Sequence, residues 1–174
     1  MIARAAAAAL ALLLGACAAV PPSPPLPQLA GVPAAFEMAG RLALRQGQRS
    51  EIAKLRWTHR PGSDVWVIAS PLGNEVARIE AGNGRATLRQ AGGESTEAAS
   101  FAELTERLLG VALEPAMLAA WLHGRAPAEG AGEWRVTLED KQPAGAIEIA
   151  RRMSAERGDV VVRLVVDEYR ALEP

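Results

Sequence analysis

Asn83-Gly84 stands between Glu75–Glu80 and Arg85–Arg89, two short runs in which apolar and polar residues alternate. Both turn residues accept a positive φ, so the pair specifies a tight hairpin whose twist suits two antiparallel strands. The same grammar recurs along the chain. Phe36, Met38, Leu42 and Leu44 fall on one face of a run whose other face carries Glu37, Arg41 and Arg45. Gly47-Gln48 follows, and then Ala53, Leu55 and Trp57 alternate with Lys54, Arg56 and Thr58. A period of two marks a strand with one buried face. Val65 to Ser70 is apolar on both faces and reads as a strand covered from both sides. Gly92-Gly93 marks another reversal, and Trp134–Leu138, Ala146–Ala150 and Val160–Val166 continue the strand pattern. Parallel strands would need crossover helices between them; turns this short give an antiparallel meander.

Only the middle of the chain changes period. Ser100 followed by Glu103 is a capping box, and Phe101, Leu104 and Leu108 recur at helical spacing until Gly110. Pro115 suits the first turn of a second helix, with Met117, Leu118, Trp121 and Leu122 as its stripe before Gly124. Each helix has one apolar face that must lie on something, and the concave face of the sheet is the nearest surface. The fold expected is mainly β with a helical insertion. It is a curved meander, open or closed as a barrel, with the helices across its mouth.

Composition removes several function classes. The chain has 174 residues, 19 Lys and Arg against 20 Asp and Glu, and a formal charge of -1. That balance attracts no nucleic acid, and an aromatic content of 4% offers no stacking platform for single strands. A single cysteine excludes a disulfide framework and a Cys-based zinc site, and two histidines leave little for another metal. No P-loop, dinucleotide fingerprint, nucleophile elbow or HExxH pattern occurs, so no cofactor is expected. His59 beside Arg60-Pro61 and His123 near a helix stop read as surface or helix-terminal residues. Asp64, Asp140 and Asp167 read as solvated.

The first residues are an address. Arg4 precedes an unbroken apolar run from Ala5 to Leu14, about half the length a bilayer-spanning helix needs. Leu14-Gly15-Ala16-Cys17 closes it and resembles a bacterial lipobox, in which the Cys is acylated and becomes the mature N-terminus. An ordinary signal cut after Ala16 or Ala19 is the alternative. Residues 18–33 contain six of the twelve prolines, a composition that favours an extended spacer reaching roughly 45 Å. The organisation expected is a signal peptide over 1–16, a lipidated Cys17 with a Pro-rich tether over 17–35, and one domain over 36–174.

One loop breaks the rule that apolar residues have a core to join. In Ser70-Pro71-Leu72-Gly73-Asn74 every residue except Leu72 is a turn former. Leu72 is incidental, folds back under a neighbouring loop, or meets something apolar outside the protein.

Several of these features recur in order in one family. The lipobox, Phe36-Glu37-Met38-Ala39-Gly40-Arg41-Leu42, Trp57, Ser70-Pro71-Leu72-Gly73, Leu109-Gly110, Trp121-Leu122-His123-Gly124 and Trp134-Arg135-Val136 together resemble the LolB family. That family comprises outer-membrane lipoproteins that receive other lipoproteins from the periplasmic carrier LolA. Two departures stand out: Ala126-Pro127 shifts a proline by one place, and the tether replaces a helix that often precedes the first strand. The resemblance implies an unclosed antiparallel β-barrel with an α-helical lid over a hydrophobic cavity that holds lipoprotein acyl chains. It implies a monomer without catalytic residues or metal, held by its N-terminal lipid on the periplasmic face of a Gram-negative outer membrane. The lining expected is Leu104, Leu108, Met117, Leu118 and Trp121 on the helices, facing Leu42, Leu44, Leu55 and Trp57 on the sheet. Trp66 and Ile68 join it if that side of their strand turns inward. A carrier needs roughly 300 Å³ or more of apolar space there. Pro71, Leu72 and Gly73 are implied to form a membrane-insertion loop, set apart from the cavity. A lipid-anchored assembly scaffold with a filled core, or less readily an envelope hydrolase using His59 or His123, would share much of this sequence pattern.

Overall fold

The computed structural model describes residues 32–125 and 134–173. Cys17, the signal peptide, nearly all of the tether and the Ala126-Pro127 departure lie outside the described residues. Six strands come first: β1 (Phe36–Gln46), β2 (Arg49–Arg60), β3 (Ser63–Ala69), β4 (Glu75–Gly82), β5 (Arg85–Gln90) and β6 (Ser95–Ala98). Two helices follow, α1 (Phe101–Leu109) and α2 (Pro115–Leu122), and then β7 (Arg135–Ala144), β8 (Ile147–Arg157) and β9 (Val160–Ala171). All strand pairs are antiparallel, in the order β6-β5-β4-β3-β2-β1-β9-β8-β7. The first and last strands pair in the middle; among the described residues β6 and β7 stay unpaired at the edges, and the barrel is not closed. No described helix is long and apolar enough to cross a membrane.

Local signals explain the elements. Asn83 and Gly84 take φ values of 53° and 72°, the left-handed pair that closes Gly82 against Arg85. Gly47-Gln48 closes Gln46 against Arg49, and Pro61-Gly62 closes Arg60 against Ser63. The alternating runs bury Phe36, Met38, Leu42, Leu44, Leu55 and Trp57 on the concave face. On β3, Trp66 and Ile68 turn inward, whereas Val65 and Val67 are only half-buried. This corrects the expectation of a doubly covered strand: no described element lies over the convex face, and those valines face outward beside long polar neighbours. β7, β8 and β9 also run well past the short apolar segments that announced them, because their outer ends alternate with charged residues.

The helices fill the concavity. Ser100 Oγ accepts from the Glu103 N–H at 3.1 Å, and Glu103 Oε2 accepts from the Ala99 N–H at 3.1 Å. Gly110 ends α1 in the left-handed region with a φ of 71°. Phe101 meets Trp66 edge-on at 4.9 Å, which seats α1 on the sheet. The link to α2 is pinned by Thr105, whose buried hydroxyl accepts from the Leu113 N–H at 2.9 Å. α2 departs from the one-stripe reading. Pro115, Met117, Leu118, Ala119, Trp121 and Leu122 are all buried, so this helix is a plug and not an amphipathic cover.

Candidate functional site

β3 ends at Ala69, opposite Lys54, while β2 continues back to Arg49. The lane that β3 would have filled is left open beside Glu51, Ile52 and Ala53. A cleft of about 380 Å³ occupies it, bounded also by Leu42, Leu44, Ile68, Ala69, Ser70, Pro71, Val76, Leu108 and Leu109. A smaller polar vestibule of about 220 Å³ adjoins it, lined by Gln46, Arg49, Arg107 and Gly110 and sharing Leu44, Glu51, Leu108 and Leu109 with the cleft. The site is therefore apolar at depth and polar at its lip. Of the residues expected to line an acyl cavity, Leu42, Leu44, Ile68 and Leu108 border this cleft. Leu55, Trp57, Trp66, Leu104, Met117, Leu118 and Trp121 lie in the packed core behind it.

The apolar loop is part of the same mouth. Leu72 is 90% exposed, and the other exposed large hydrophobic residues among those described are Ile52 at 61% and Val76 at 42%. Ile52, Val76 and Pro71 border the cleft, so the loop and the cavity are neighbours and not separate features. The loop is braced: the Ser70 N–H donates to Asn74 O and the Gly73 N–H to Ser70 O, each at 2.8 Å. Gly73 takes a φ of 98°, which a side chain would resist. This turn holds Leu72 outward, away from any core.

The opposite end of β1 carries the polar chemistry. Phe36 is surrounded by Trp57, His59, His123 and Tyr169, with ring centroids 4.9, 5.0, 5.2 and 5.6 Å away. Asp64 is not a solvated turn residue: its Oδ1 accepts from Trp57 Nε1 at 2.7 Å and meets His59 Nδ1 at 2.8 Å. His123 is not at the surface either. It is fully buried at the end of α2, with Nδ1 2.7 Å from Ala119 O and Nε2 2.8 Å from the Tyr169 hydroxyl. A carbonyl only accepts, so Nδ1 carries the proton and Nε2 accepts from Tyr169. Burial pushes the Tyr169 phenol up to about 12, which keeps that donor in place. Sequence reasoning missed this pair because Tyr169 is 46 residues away; the Trp-Leu-His-Gly motif was the available signal.

Burial also lowers the pKa of His123, against an opposing contribution from the Ala119 carbonyl. Well above pH 6.5 the ring is neutral whether the chain is folded or not. Below it the unfolded chain takes up a proton that the folded one refuses, so stability falls with pH by up to about 1.4 kcal/mol per unit. Urea unfolding at pH 7.5 and 5.5 should show a steeper loss for the natural chain than for His123→Gln. Equal losses would mean that His123 does not set this dependence.

A family model described as outer membrane lipoprotein LolB matches residues 34–169, a span that takes in the cleft, the braced loop and both helices. The chain belongs to the LolB family. Relatives named outer-membrane lipoprotein LolB include one from Chromobacterium violaceum, 32% identical over 98% of this chain and 100% of its own length. One from Thiobacillus denitrificans is 31% identical over 94% of this chain and 95% of its own, and one from Azoarcus sp. is 28% identical over 92% and 91%. Among solved structures, a LolA superfamily protein from Nitrosomonas europaea matches with a TM-score of 0.40 at 8% identity, over 79% of this chain and 87% of its own. LolB membership accounts for the ordered series of short motifs, and several of them now have a structural place. The Ser-Pro-Leu-Gly motif is the braced loop, and the Trp-Leu-His-Gly motif is the buried end of α2.

Proposed function

We propose that this protein is held at the periplasmic face of the outer membrane by an acylated Cys17, accepts lipoproteins from the carrier LolA, and inserts them into that membrane. The observation that carries this reading is the apolar cleft of about 380 Å³ that opens beside the exposed Leu72 loop. Its volume falls in the range of ligand sites, roughly 300–1,000 Å³. Acyl methylenes lodged there are each shielded by about 0.8 kcal/mol relative to water, so a downhill series from carrier to cleft to bilayer needs no nucleotide. The residues behind the cleft, from Trp66 and Leu104 to Trp121, would deepen it where α1 and α2 shift on the sheet. A scaffold would have no use for the vacated lane. A hydrolase is disfavoured because both nitrogens of His123 are occupied and, among the described residues, no serine, threonine or cysteine is hydrogen-bonded to His59, whose Nδ1 faces Asp64.

Ala53 supplies the test. It is half-buried on the inward face of β2 and borders the cleft. Ala53→Trp fills the open space without removing a core contact, and an aromatic residue suits a strand. Acceptance of a lipoprotein from the carrier should fall at least tenfold, while thermal unfolding stays close to that of the natural chain. Undiminished acceptance by the folded variant would place the acyl chains elsewhere.

A further inference from the structure

The vacated lane exposes backbone as well as apolar side chains, and the hairpin register says which groups are free. A two-residue loop is closed by a pair that exchanges both hydrogen bonds, so Gln46 and Arg49 are bonded to each other. Bonded pairs then alternate: Leu44 with Glu51 and Leu42 with Ala53 are bonded, whereas Arg45 with Ser50 and Ala43 with Ile52 are not. The next hairpin gives the same parity independently. Arg60 and Ser63 close its loop, which points the even-numbered residues of β2 toward β3 as far as Lys54 opposite Ala69. Beyond Lys54 there is no β3 to receive them. The N–H and C=O groups of Ser50 and Ile52 therefore face the cleft side of β2 with no described strand beside them. Ser70 Oγ, buried at the cleft wall, also has no hydrogen-bond partner among the described residues.

We propose that the lane beside Arg49–Ala53 takes a short extended peptide as an added strand, and that this peptide is the segment following the acylated cysteine of the cargo lipoprotein. The proposal rests on the reading of the cleft as an acyl site and extends it to the polypeptide. A free strand edge binds extended backbone and is indifferent to its side chains, which suits cargoes that share a lipid and differ in sequence. The polar vestibule of Gln46, Arg49, Glu51 and Arg107 lies where the lipid joins the peptide, so each part of the cargo meets its own chemistry. The other long free edge is defended against such pairing. β7 carries Pro143, Lys141 and register shifts around Asp140. The chain's own tether is a poor occupant, because the prolines among residues 18–33 cannot donate to a ladder.

The test compares two probes on the full chain carrying Cys17→Ala, which removes its own lipid. One is a diacylglyceryl-cysteine amide; the other is the same group followed by four residues. The longer probe should bind about tenfold more tightly, a difference of the size a few backbone hydrogen bonds produce. Ser50→Pro removes one outward N–H without breaking a bond to β1, and should erase that preference while leaving the amide's affinity unchanged. Ser50→Ala, which keeps the N–H, should retain it. Methylating alternate amides of the longer probe should erase the preference on the natural β2, which decides the matter even where Ser50→Pro fails to fold. Equal affinity of the two probes, or a preference that survives both changes, overturns the added strand while leaving the acyl site standing. If neither probe binds, the acyl reading of the cleft falls and the added strand falls with it.

Discussion

Leu72→Glu is expected to leave a folded protein that accepts lipoproteins and does not insert them. Leu72 is 90% exposed and its turn is set by Ser70, Gly73 and Asn74, so the substitution removes no packing. Surface changes of this kind move stability by no more than about 0.5 kcal/mol. Proximity to the cleft sharpens the expectation. Pro71 borders the apolar space, whereas Leu72 projects away from it, so a carboxylate at the tip leaves the lining intact. What changes is the cost of entering lipid. A charged side chain in the acyl region costs about 2.5–3.5 kcal/mol on insertion scales, enough to reduce occupancy of a membrane-inserted state roughly a hundredfold. A two-step assay separates the events: transfer from the carrier should be near normal, and appearance of the cargo in liposomes should fall by at least tenfold. Normal insertion by a folded Leu72→Glu protein would remove the loop from the delivery step. On the proposed reading, the adjacency of loop and cleft would also give a delivered acyl chain a short path, because the mouth that Pro71 borders is the one that Leu72 would press against the bilayer.

The fold was largely legible because its signals are local. Asn83-Gly84, Gly47-Gln48, the Ser100 capping box and the two-residue alternation each report on a few neighbouring residues, and each corresponds to an element of the structure. The candidate site was legible only in part, for two physical reasons. First, the cleft is a consequence of unequal strand lengths: β2 outruns β3 by the five residues 49–53, and no residue type announces where a neighbouring strand stops. Leu42 and Leu44 were readable as inward-facing, whereas the inward side of β3, and with it Ile68, was left open by a strand apolar on both faces. Which inward residues meet open space and which meet the helices depends on how α1 lies. Second, the polar cluster depends on distant partners. Asp64 looks like a turn residue until Trp57 and His59 fold onto it, and His123 looks terminal until Tyr169 arrives from the last strand. The misreading of β3 has the same origin: an apolar outer face implied a cover, and the chain left that face to half-exposed valines beside Arg56 and Arg78.

Gly40→Ala should be strongly destabilising, although Gly40 sits mid-strand and makes no turn. A Cβ at this position would lie 2.1 Å from Val165 O and 3.1 Å from Val165 C, contacts with backbone that cannot rotate away. The cause is a bulge. β9 pairs Glu168 with Ala39 and Val166 with Gly40, so Asp167 is the extra residue and the two strands close up beside it. The bulged Asp167 in turn accepts two hydrogen bonds from Arg41, at 2.9 and 3.2 Å. That ion pair is half exposed and contributes less than about 1 kcal/mol, so it does not hold the bulge in place. The backbone fit at Gly40 does. Pushing β9 away would undo the local bend at the centre of the sheet, where first and last strands join and where curvature decides whether the concave face can enclose α1 and α2. Overpacking costs of about 1–3 kcal/mol are usual, and a collision with immobile backbone belongs at the upper end, about 3 kcal/mol. Urea unfolding of Gly40→Ala should show a loss of that size, against a loss below about 1 kcal/mol for Arg41→Ala. If the two losses are equal, the close approach of β1 and β9 is not what Gly40 provides, and the sheet draws its curvature from elsewhere.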